Sequence, residues 1–146
     1  MARTIIGVIV GYVLMFILNI CAFVTMYAVL GQDQSFEPGL YLASTKWIVG
    51  TFVICLITGT IAGLICAVIA RGGRSSLVLA AVVIVLGLLL AIPGMMKGQI
   101  NSKLVRSGDT PSMQAAQLAY YPAWCPFAFP FLSAIGVLVG GKLKRT

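Results

Sequence analysis

Histidine is absent from all 146 residues, and the acids number only three: Asp33, Glu37 and Asp109. General acid-base catalysis needs a positioned His or carboxylate, and these acids show no paired spacing, so no enzymatic activity is expected. A zinc, copper or iron site lacks its commonest ligand, and the four cysteines (Cys21, Cys55, Cys66, Cys125) contain no C-x-x-C pair. No metal or other cofactor is predicted. Charge is scarce too, at 9% of residues against about 25% in soluble domains, which excludes an ordinary water-soluble core.

What fills the chain instead is hydrocarbon. Four runs, Thr4–Leu30, Trp47–Ala70, Leu77–Met96 and Pro122–Gly141, contain no Asp, Glu, Lys, Arg or His. At about 1.5 Å per helical residue each is long enough to cross a hydrocarbon layer roughly 30 Å thick. The prediction is an all-α membrane protein, a four-transmembrane-helix bundle forming a single domain over residues 1–146, since the stretches between spans are too short for another core. The first run is far longer than the apolar stretch of a signal peptide and is expected to be retained. Membrane-embedded acids or bases, the usual mark of pumps and ion-coupled carriers, are missing from the spans.

The net charge of +7 is distributed at span ends, where it points to anionic lipid headgroups and not to nucleic acid. Arg3, Arg71, Arg74, Lys142, Lys144 and Arg145 share one side, and Lys46, Lys97, Lys103 and Arg106 the other. Arg71 and Arg74 lie in a very short turn and the C-terminal group abuts its helix, so the positive-inside rule places both termini in the cytoplasm. That tight turn should also make the second and third helices antiparallel neighbours. On the opposite side Pro38-Gly39 signals a turn. Tyr41, Trp47, Tyr120, Tyr121 and Trp124 are expected as anchors at the headgroup level.

Before the fourth span, Thr110-Pro111 reads as an N-cap followed by proline at the first helical position. Met113, Ala116, Gln117 and Tyr120 then share one face, which predicts a short helix lying on the outer surface. Pro122, Pro126 and Pro130 should bend or partly unwind the start of the fourth span, leaving carbonyls such as those of Leu118 and Pro122 in need of partners.

Small residues four apart recur in each span: Gly7 and Gly11, then Gly59, Gly63 and Ala67, then Gly87 and Ala91, then Gly136 and Gly140. Such seams allow the close backbone approach by which helices associate in lipid. With a seam on every helix, one is expected to be left for another subunit or a second copy. Asn19 is the polar residue most costly to expose, and Thr58, Thr60 or Ser133 could receive its amide. Those four side chains would line any polar path. Thr25 and Thr51 can bond their own helices. The cysteines are read as small packing residues, although Cys125 could match Cys55 or Cys21 in depth. A weak internal likeness relates Thr60–Ile65 to Ala134–Leu138.

Gly11-Tyr12, Phe36-Glu37-Pro38-Gly39-Leu40-Tyr41, Trp47 and the closing Gly136–Gly141 run before Lys142 together resemble a group of small uncharacterised bacterial four-span membrane proteins. The resemblance implies a bacterial inner membrane and carries no functional residue. The expected function is that of a non-catalytic accessory or scaffolding subunit, with a small pore or facilitator as the alternative.

Overall fold

The computed structural model describes residues 2–71, 74–106, 108 and 111–144. The helices in order are α1 (Ala2–Ser35), α2 (Thr45–Ala70), α3 (Ser75–Asn101), the short α4 (Ser112–Leu118) and α5 (Cys125–Leu143). By length and composition α1, α2, α3 and α5 can each cross a membrane, which makes the chain a multi-pass membrane protein.

Local chemistry sets the ends of these helices. At Gly31 the backbone turns to φ 71°, ψ 175°, a region essentially reserved for glycine, so the apolar part of α1 stops at Leu30 and one further turn follows. Ser44 caps α2, its side chain accepting the Trp47 N–H at 3.2 Å. The other end of α2 is closed from a distance: Lys144 donates to the Ala67 carbonyl at 2.6 Å, placing a cation at the negative end of the helix. α3 continues through Pro93, a proline the sequence reading did not weigh.

The fourth span meets the expectation in its first residues, since 122–124 are not helical and α5 begins only at Cys125. Pro122 lies outside α5, and Pro126 sits in its first turn, where no intrahelical donor is needed, so neither breaks the helix. Only Pro130 is interior. α5 keeps sufficient length by extending past Gly141 to Leu143, its 19 residues covering about 28 Å. The Leu118 carbonyl is taken by the Asn101 amide at 3.1 Å, and that of Pro122 by the Cys125 N–H at 2.9 Å.

α2 packs on α1 on one side and on α5 on the other, while α5 also packs on α3. The four-residue connection from α2 to α3 therefore joins two helices that touch each other less than each touches α5. The cause is the α2–α5 seam. A Cβ on Gly59 or Gly63 would run into the backbone of Ser133 or Val137, and one on Gly136 or Gly140 into the backbone of Leu56 or Thr60. Two parallel helices meeting backbone to backbone leave no room for α3 between them. α1 is held through Gly7, against the Cys66 carbonyl, and Gly11, against Ala62, Cys66 and Leu79. On the far side of α5 the Pro130 ring packs over Gly87, and Ser76 over Gly141. Every seam glycine named from the sequence thus meets a neighbouring helix of the same chain, which removes the argument that a spare glycine seam awaits another subunit.

One half of the bundle is solid, filled by Met15, Ala62, Cys66, Leu79, Ala80, Val83, Ala134 and Val137. The other half ends in a folded cap. Leu40 N–H bonds the Glu37 carbonyl across the Pro38-Gly39 turn, and single bridges pair Phe36 with Ala43 and Leu42 with Tyr120. Arg106 ties the later loop to the end of α1 through Asp33 at 2.9 Å and the Gln32 carbonyl at 3.1 Å.

Candidate functional site

Between α1, α3 and α5, beneath the cap, lies a cavity of about 520 Å³. It exists because α1 and α3 make few contacts with each other, so the fourth side of the bundle is not zipped shut. Along α3 its wall is Val83, Gly87, Leu90, Ala91, Gly94 and Lys97, positions spaced to share one helical face. α1 contributes Tyr12 and Met15, and α5 contributes Pro126, Phe129, Pro130 and Ser133. Gln117, Ala119, Tyr120 and Tyr121 form the roof. The lining is mostly apolar, with Lys97 and Gln117, both exposed, at the cap end.

The roof is held by aromatic packing. Trp47 donates its indole N–H to the Tyr121 hydroxyl at 2.9 Å, and Tyr121 meets Phe129 edge-on with centroids 5.2 Å apart. Trp47 also packs against Phe23, Tyr27 and Phe36, and Phe36 against Tyr41. Burial pushes the Tyr121 phenol above its ordinary range, outweighing hydrogen bonds with Trp47 and Thr51 that act the other way.

The expected anchors therefore divide. Tyr41 and Trp47 are only 7% and 5% exposed and face the protein's own interior, because the cap folds over them; neither is a lipid-facing anchor. Tyr120 and Tyr121 are partly buried in the roof, and Trp124, 56% exposed, remains at the surface. α4 is present, but Pro111 is its N-cap residue and not its first helical one; Thr110 lies outside the described residues. Its packed residue is Ala115, against Phe36 and Tyr41 with Leu118 beside it, while Met113 and Gln117 are exposed and Tyr120 lies past its end.

Asn19 donates to the Met15 carbonyl at 2.8 Å and to the Thr58 hydroxyl at 3.2 Å. Thr58 and Thr60 donate to the carbonyls of Ile54 and Leu56 on their own helix, as Thr25 and Thr51 do to Cys21 and Trp47. Ser133 is hydrogen-bonded with Cys55. Of the four side chains proposed to line a path, only Ser133 borders the cavity. Beyond it the fully buried Leu79 and Val137 fill the bundle. All four cysteines are unbridged, so Cys125 joins neither Cys55 nor Cys21. Among the described residues no three His, Cys, Asp or Glu side chains cluster.

Gly94, Lys97 and Tyr12 were not singled out as lining residues. Their signal was present: the Gly87, Ala91 seam continues at helical spacing through Gly94 to a lysine. A Cβ on Gly87 would strike Pro130, yet one on Gly94 would meet nothing within 4 Å. The first glycine serves packing, and the second faces open space. Neither a family model nor a curated protein nor a solved structure matches this chain.

Proposed function

We propose that this protein is a non-catalytic membrane subunit that works by packing, within a larger membrane assembly or against copies of itself, in a bacterial inner membrane. The observation that supports it most is the way in-span polar groups are used. Asn19, Thr58, Thr60 and Ser133 bond protein partners, and of the four only Ser133 borders the cavity. The solid packing around Leu79 and Val137 weighs against a small-solute facilitator. In this reading both termini are cytoplasmic, by the distribution of Lys and Arg, and α4 with the cap lies on the outer face. A reporter fused after Thr146 then reads cytoplasmic, and a periplasmic reading overturns the orientation.

Osmotic swelling of proteoliposomes separates packing from conduction. Vesicles carrying the protein should swell in small polyols at the rate of empty vesicles. A faster rate would restore the facilitator reading.

A further inference from the structure

We propose that the cavity between α1, α3 and α5 binds one acyl chain of an anionic phospholipid, with the headgroup phosphate at Lys97. The inference rests on the four spans and is independent of the subunit reading. Leu89, Leu90 and Ile92 of α3 and Ile9, Val13 and Phe16 of α1 are exposed, so the medium around these helices at this depth is hydrocarbon. The α3 wall of that groove from Val83 to Gly94 is apolar, and a surface of this kind open to hydrocarbon favours an acyl chain over water, which needs several polar partners for each molecule. From Val83 to Lys97 the α3 wall runs about 21 Å at 1.5 Å per residue. One leaflet of hydrocarbon is about 15 Å deep, so the wall is long enough for a single chain.

The charge pattern favours an anionic head. Lys97 borders the cavity at the end of the apolar stretch of α3, where headgroups lie, and Gln117 on the roof adds an amide donor. Among the described residues no Asp or Glu lines the cavity to oppose a phosphate. Small side chains at Ala91 and Gly94 keep the groove open.

The test uses the full chain in mild detergent and native mass spectrometry, with dioleoyl phosphatidylglycerol or dioleoyl phosphatidylcholine added. Wild type should retain one phosphatidylglycerol about fivefold more readily than phosphatidylcholine, the effect of a single basic residue near an anionic surface. Lys97→Gln should abolish that preference and Lys97→Arg should keep it. Gly94→Leu fills the groove from a position where its Cβ meets nothing, and should lower retention of both lipids. Equal retention of the two lipids by wild type overturns the proposal. So does an unchanged preference in Lys97→Gln, a surface variant that tests the idea even if Gly94→Leu fails to fold.

Discussion

Gly63 has the least tolerance for a side chain of the glycines on α2, because a Cβ there would fall on the Val137 backbone and backbone has no rotamer to move aside. Gly63→Ala should lower stability by about 1–3 kcal/mol, the usual cost of overpacking a filled site. Gly94→Ala is the matched control: its Cβ meets nothing, and alanine is the better helix former by about 1 kcal/mol. Thermal unfolding in detergent followed by circular dichroism measures both; equal melting of the two variants would mean that α2 and α5 do not touch there. Tyr121 offers a second residue-level test. Burial raises its folded-state phenol above the ordinary value, near 10. The stability this contributes is fully present below about pH 10 and is lost as pH rises through the folded value. Wild type should therefore lose melting temperature in strong alkali more steeply than Tyr121→Phe, and parallel curves would refute the buried phenol.

Among the elements, the end of α4 is tied to α3 by one side chain. Asn101 at the end of α3 donates to the carbonyls of Gln117 and Leu118 at 3.3 and 3.1 Å, and Leu118 is the carbonyl that Pro122 deprives of a helical donor. Asn101→Ala should cost about 1 kcal/mol, and hydrogen exchange should quicken over residues 112–121 with the α2–α5 seam unchanged. Unaltered exchange there would show that the roof is held by aromatic packing alone. The spans were legible because uninterrupted apolar runs admit little else, and the seam glycines because close approach in lipid needs small residues. Pairing was not legible. The short Arg71–Ser76 connection suggested α2 beside α3, yet Gly59 and Gly63 meet α5, a partner that no local pattern identifies. Trp47 and Tyr41 misled for a related reason: the same amphipathic rings suit a headgroup layer or a buried cap, and contacts distant in sequence, such as Trp47 with Tyr121 and the bridge from Leu42 to Tyr120, decide between them. The cavity was hidden because it arises from two helices failing to meet.

For the molecule as a whole, the internal use of the seam glycines changes what a partner could grip. Association would have to use exposed faces such as the Ile5, Ile9 and Phe16 side of α1 or the exposed part of the cap, including Trp124. α1 is the least enclosed of the four spanning helices, which makes it the first place to look for a contact. The subunit reading is tested most directly by the mass of the particle extracted from its own membrane in the mildest detergent that releases it. Native mass spectrometry should give a particle heavier than one 15.4 kDa chain with its lipids, containing further protein subunits or further copies. A particle of one chain and lipid alone, in every detergent that preserves the fold, would contradict it.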